Sequence, residues 1–121
     1  MVEANPQPSP GSGVWIGIDL GTTNSCVGVW KDDRVEIIQD QLGDTTMPSV
    51  VAYKKERNEV LVGKAAINQA MNNLKNTLYD AKRILGHKYN DEKIQNNLPT
   101  WAFDLRAARG DKCRFHVECE G

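Results

Sequence analysis

Apolar residues alternate from Val14 to Leu20, with Val14, Ile16, Ile18 and Leu20 on one face, and Gly21 follows at once as a turn residue. That pattern predicts a strand running into a tight turn. An apolar run resumes from Ser25 to Trp30 after Gly21-Thr22-Thr23-Asn24, Lys31-Asp32-Asp33-Arg34 reads as a polar turn, and Val35-Glu36-Ile37-Ile38 reads as a third strand. The three predict an antiparallel meander. Gly43 to Pro48 has the composition of a loop, and Ser49 to Tyr53 and Val60 to Val62 read as short strands around the charged turn Lys54 to Glu59.

Helical spacing begins after Gly63. Ile67, Ala70, Met71, Leu74 and Leu78 fall at i, i+3, i+4, i+7 and i+11, a stripe that would seat one or two helices on a sheet as core. Thr77-Leu78-Tyr79-Asp80 has capping-box spacing, with Asp in place of the preferred Glu or Gln, and Gly86 stands where a helix would stop in the left-handed conformation. A helix from Leu78 to Leu85 is therefore expected, with Lys82 and Arg83 on its later turns, where cations suit the dipole. Asp80, three residues before Arg83, would pair with it on the surface. Asp91 to Asn97 reads as a short helix, and Trp101 to Leu105 and Cys113 to Cys119 as a hairpin around Arg109-Gly110-Asp111. A meander, then helices, then a hairpin make an α/β arrangement.

Composition narrows the class. With 121 residues, 40% hydrophobic and 26% charged, the chain has the balance of one soluble domain or part of one. A net charge of −1 from 15 basic and 16 acidic residues provides no field to draw in nucleic acid or a membrane surface. The apolar runs fall far short of the roughly 20 residues that cross a bilayer. Met1 to Gly13, rich in Pro, Ser and Gly and without Lys or Arg, matches no signal or transit peptide and is expected to be a disordered leader. Cys113 and Cys119, six residues apart in a strand-like segment, would stand about 20 Å apart. A disulfide tolerates only about 7 Å. With Cys26 read as a buried small hydrophobe, the cysteines favour a reducing, cytoplasmic setting.

The chemistry concentrates in Gly17-Ile18-Asp19-Leu20-Gly21-Thr22-Thr23-Asn24-Ser25-Cys26. A carboxylate at a strand end suits a hydrated Mg²⁺, and turn N–H groups with Thr22 and Thr23 hydroxyls suit phosphate oxygens. Gly21 would let backbone approach phosphate where a Cβ would intrude. The alternative is a plain turn with Thr and Asn in loop positions, and these residues alone leave both readings open. The segment is neither a Gly-Lys-Ser/Thr phosphate loop nor a dinucleotide fingerprint, since strand follows the turn. Arg109-Gly110-Asp111 matches an adhesion tripeptide, a role at odds with a cytosolic setting. His116 between Cys113 and Cys119 lacks zinc-site spacing, and a strand would point it away from both.

This decamer resembles the first phosphate loop of the actin, sugar-kinase and heat-shock ATPase superfamily. Val35-Glu36-Ile37-Ile38, Pro48-Ser49-Val50-Val51-Ala52-Tyr53, Val62-Gly63-Lys64-Ala65-Ala66 and Asn76 to Gly86 resemble, in order and spacing, the 70-kDa heat-shock chaperones. The likeness runs from Val14 to Gly121. It implies a partial actin-like, ribonuclease H-like ATPase lobe over residues 14–121, with ATP or ADP and Mg²⁺ as cofactors. It also implies that Asp19 holds Mg²⁺ through water, that Gly21, Thr22, Thr23 and Asn24 bind phosphate, and that Lys82 reaches the γ-phosphate and the attacking water. Lys82 and Asp19 are thus the catalytic candidates. Spacing alone would make Lys82 a solvated helix residue.

The chain departs from the family at Met47, where threonine usually precedes the proline, leaving only Thr46 for a polar contact there, and at Leu74, where proline is usual. Leu74 would extend the stripe and join two helices. The family's second phosphate loop, its carboxylate pair, its adenosine pocket and its peptide-binding domain have no counterpart in these residues. The expectation is a fragment of an ATP-dependent chaperone, inactive alone, whose full-length relatives engage J-domain co-chaperones, nucleotide exchange factors and unfolded peptides. The alternative is a non-catalytic scaffold or interaction module working through an uncovered sheet.

Overall fold

The computed structural model describes residues 13–56 and 59–119; the expected leader, apart from exposed Gly13, lies outside them. Strands β1 (Ile16–Leu20), β2 (Asn24–Lys31) and β3 (Arg34–Ile37) form the antiparallel meander that alternation predicts. Its register sets Ile18 opposite Val27, Asp19 opposite Cys26 and Lys31 opposite Arg34. Asp32 and Asp33 both take positive φ, 51° and 59°, so the two-residue turn follows the twist of its strands. Short β4 (Met47–Pro48) pairs with the start of β2.

A second sheet has the order β6-β5-β7, from β5 (Val51–Tyr53), β6 (Val60–Val62) and β7 (Thr77–Leu78). Helix α1 (Lys64–Asn68) follows β6, α2 (Ala81–Ile84) follows β7, and α3 (Glu92–Asn97) precedes a hairpin of β8 (Asp104–Ala108) and β9 (Lys112–His116). The described residues thus make a mixed α/β fold with antiparallel sheets. Gly110 and Asp111 turn the hairpin at φ 75° and 60°.

Two helical expectations fail for a shared reason. The stripe from Ile67 to Leu78 predicts one or two helices packed as core, joined through Leu74. Instead α1 ends at Asn68, single 3₁₀ turns cover 70–72 and 74–76, and Asn73 leaves helical space at φ −149°. The Asn73 amide donates to Tyr53 O (2.9 Å) and Gln69 Oε1 (2.8 Å), and the Thr77 hydroxyl donates to Asn73 O (2.8 Å). Side chains that satisfy nearby backbone draw it out of helix. Met71 is consequently 86% exposed, and Leu74 opens its own turn rather than joining two helices. Likewise Thr77 is no cap: it pairs with Ala52 in β7, and the helix begins only after Asp80. Gly86, at φ 80°, ends that helix as expected.

The core lies in the second half of the chain. Ile84, Ile94, Trp101, Phe103 and Leu105 are buried together, with Tyr79 and Phe115 packed against them. Phe103 stacks on Trp101 at 5.5 Å and takes Tyr79 and Phe115 edge-on at 5.1 and 5.2 Å. Such pairs add to the area they bury. Asn76, fully buried, donates to Glu118 O (2.9 Å) and accepts from Glu118 N–H (2.8 Å), as a strand peptide would. By contrast the predicted face of β1 is open, with Ile18 75% exposed. Cys26 is half-buried rather than buried.

Asp91 fastens the approach to α3. Its carboxylate accepts from Lys88 N–H (3.0 Å) and contacts His87 Nδ1 (3.1 Å), which hold its pKa below the ordinary 3.8, the backbone bond first. A depressed carboxylate pKa adds stability that is full above the unfolded value and is lost as pH falls through the folded one. Asp91→Asn should therefore be less stable than wild type at neutral pH, with the gap closing below the ordinary value of 3.8, as urea titrations at each pH will read.

Candidate functional site

The turn after β1 is held by packing and hydrogen bonds. A Cβ on Gly21 would run into the carbonyl oxygen of Asn24, so the turn closes only around glycine. Ser49 braces it: its hydroxyl donates to Gly21 O (2.8 Å), its N–H donates to Thr23 O (2.8 Å), and its Oγ lies 2.8 Å from Ser25 Oγ. Sequence reading missed Ser49, which is 28 residues from Gly21. Its only local signal is a hydroxyl directly after Pro48.

Met47 takes a structural place here. It pairs with Ser25, and Gly63, at φ 61°, leaves room that any Cβ would take from the Met47 side chain. Thr46 lines a separate cavity of about 370 Å³ with Ile18, Cys26 and Asp44.

A cavity of about 300 Å³ lies between the turn and α2, and Gly21, Ser49, Leu78, Ala81, Lys82 and Phe115 are among its walls. Sixty-one positions separate Gly21 from Lys82 in sequence, and the fold brings both to one cavity. Asp19, Thr22, Thr23 and Asn24 do not line it. Asp19 alternates with Leu20, which does, and so leaves β1 by the opposite face.

Charge pairing separates the two cations of α2. Arg83 Nε lies 3.5 Å from Asp80 Oδ1, the surface pair that the spacing predicts. Lys82 is exposed and, among the described residues, has no ion-pair or hydrogen-bond partner. An unpartnered ammonium on a cavity wall is available to an anion. Asp80 also accepts from the Trp101 indole N–H at 3.1 Å.

The donor chemistry suits a nucleotide tail with a largely hydrated Mg²⁺. Among the described residues no three His, Cys, Asp or Glu side chains converge on a metal position. Asp19 is the one carboxylate of the Gly17 to Cys26 segment, and Mg²⁺ is commonly held by one or two carboxylates plus phosphate oxygens and water. Among the described residues no helix is long and apolar enough to cross a membrane.

The amino-acid sequence that builds this turn and helix has a match among known families. The Hsp70 protein family model covers residues 15–121, and the chain belongs to that family. It is 49% identical over 107 residues to heat shock cognate 70 kDa protein 3 of Dictyostelium discoideum, covering 88% of this chain and 17% of that protein. The heat shock cognate HSP70 protein of Trypanosoma brucei brucei is 47% identical over 103 residues, 85% of this chain and 15% of that one. The heat shock 70 kDa protein of Emericella nidulans is 48% identical over 106 residues, 88% and 16% respectively. The chain therefore spans about a sixth of the length of these relatives.

Proposed function

We propose that residues 14–121 are the first part of an actin-like, ribonuclease H-like nucleotide-binding domain, contributing a phosphate loop and a catalytic lysine to an ATP-hydrolysing cytoplasmic chaperone. The observation that supports this best is the single cavity walled by both Gly21 and Lys82, in a chain of the Hsp70 family. Gly21, Thr22, Thr23 and Asn24 offer turn N–H groups and hydroxyls to the phosphates of ATP or ADP. Asp19 attracts a hydrated cation, and Mg²⁺ when bound neutralises phosphate charge. Lys82 places a compact positive charge beside the γ-phosphate and the attacking water, where it would stabilise the charge that develops in the transition state. J-domain co-chaperones, nucleotide exchange factors and unfolded peptides are partners of the whole chaperone on this reading.

The open face of β1, with Ile16 61% and Ile18 75% exposed, favours a second reading as a non-catalytic interaction module. A chimaera separates them, with residues 15–121 of this chain replacing the matching segment of the full-length Dictyostelium relative. The catalytic reading expects Asp19→Asn to weaken Mg-ATP binding and its Mg²⁺ dependence together, since a neutral amide attracts a hydrated cation poorly. Isothermal titration at varied Mg²⁺ checks it, and unchanged affinity with unchanged Mg²⁺ dependence favours the interaction module. Residues 1–121 alone should hydrolyse ATP no faster than buffer.

A further inference from the structure

Helix α2 carries Lys82 but is only four residues long, Ala81–Ile84. One turn of helix does not hold itself in water, so its direction is set by what grips its ends. Ile84, 5% exposed, grips the far end in the core. The near end is the less ordinary one: Asp80 is a non-glycine residue in the left-handed region, at φ 56° and ψ 22°. Such a conformation persists only where its surroundings impose it.

Two hydrogen bonds, an ion pair and a ring contact impose it here. The Trp101 indole N–H donates to Asp80 Oδ2 at 3.1 Å, while Arg83 approaches the other oxygen of the same carboxylate. Tyr79 is gripped by the same segment, since its hydroxyl accepts from Ala102 N–H at 3.3 Å and its ring meets Phe103 edge-on at 5.1 Å. Trp101 is itself 7% exposed and stacked on Phe103, and so forms a fixed post. Residues 79 and 80 are thereby tied to residues 101–103, and the next residues set where Lys82 enters the cavity it shares with Gly21.

We propose that Trp101 is a positioning residue for Lys82: its N–H holds the Asp80 carboxylate, fixes the left-handed start of α2, and aims the lysine at the turn. The inference rests on the catalytic reading of Lys82. Trp101 acts through Asp80 and touches no nucleotide, so its loss should appear in the chemical step and leave nucleotide binding alone.

The test uses the same chimaera, with single-turnover ATP hydrolysis, Mg-ATP affinity and melting temperature measured for each variant. Trp101→Phe keeps a ring in the core and removes the N–H donor together with part of the indole's bulk, a loss of packing that the melting temperature reads. It should lower the hydrolysis rate about tenfold to a hundredfold, the scale of a misplaced catalytic group, with affinity held within about twofold. Asp80→Asn, which keeps an acceptor oxygen for the indole, should stay within about threefold of wild type. On a Lys82→Ala background Trp101→Phe should produce no further loss, because there is no lysine left to aim. If Trp101→Phe does not fold, Asp80→Ala breaks the same bond without touching the aromatic core and should give the same pattern. A Trp101→Phe or Asp80→Ala enzyme within about threefold of wild type, beside a Lys82→Ala enzyme slowed about a hundredfold or more, overturns the positioning role alone. So does a full additional loss on the Lys82→Ala background. A Lys82→Ala enzyme that keeps its rate overturns the catalytic reading, and this inference with it.

Discussion

Lys82→Ala, in a full-length chimaera carrying residues 15–121, is expected to slow single-turnover ATP hydrolysis by about 10² to 10³ while Mg-ATP affinity changes little. The asymmetry follows from when each group acts. On the proposed reading, phosphates in the ground state would keep the Gly21 to Asn24 turn and a Mg²⁺ attracted by Asp19 in the variant as in wild type. The lysine becomes most valuable only as negative charge accumulates in the transition state. Rapid-quench kinetics beside equilibrium titration will separate the two constants. A rate within about threefold of wild type, below roughly 0.7 kcal/mol, would return Lys82 to the status of a solvated helix residue.

Ile94→Ala should have the largest effect on stability. Ile94 is 1% exposed in one cluster with Ile84, Trp101, Phe103 and Leu105, so truncation removes its burial and leaves a cavity. Such changes remove about 2 to 5 kcal/mol, against about 5 to 15 for a whole domain. Ile18→Ala is the matched control: at 75% exposure it should shift stability by less than about 0.5 kcal/mol. Urea unfolding followed by tryptophan emission checks both, since Trp101 is 7% exposed while Trp15 and Trp30 are 55% and 39% exposed and respond less. Similar midpoints for the two variants would contradict the placement of the core.

The strands of the meander and of the last hairpin were legible because their signals are local, whereas β4 fell in an expected loop and β7 at an expected helix start. Alternation from Val14 to Leu20, the paired aspartates at 32 and 33, and Gly110-Asp111 each act within a few residues, and the meander and the last hairpin appear within two or three positions of expectation. The helical stripe had the same local signal but met competitors that periodicity ignores, the side chains of Asn73 and Thr77 bonding to backbone. Ser49 and Trp101 were invisible for another reason: their partners lie 28 and 21 residues away, and no spacing rule connects a hydroxyl to a carbonyl across that distance. Of the candidate site, Gly21 and Lys82 meet at one cavity, whereas Asp19, Thr22, Thr23 and Asn24 stand outside its walls.

Asn76 has a consequence for where this unit could be cut. Its carboxamide spends both its acceptor and one donor on the backbone of Glu118, 42 residues further on, at a position with no access to water. Trimming the chain back to His116 would leave the β8–β9 hairpin whole and yet remove both backbone bonds of this amide, each worth about 0.5 to 1.5 kcal/mol. A piece that keeps this pair therefore runs beyond the last strand, to a residue that belongs to no element and serves as the bolt of the fold.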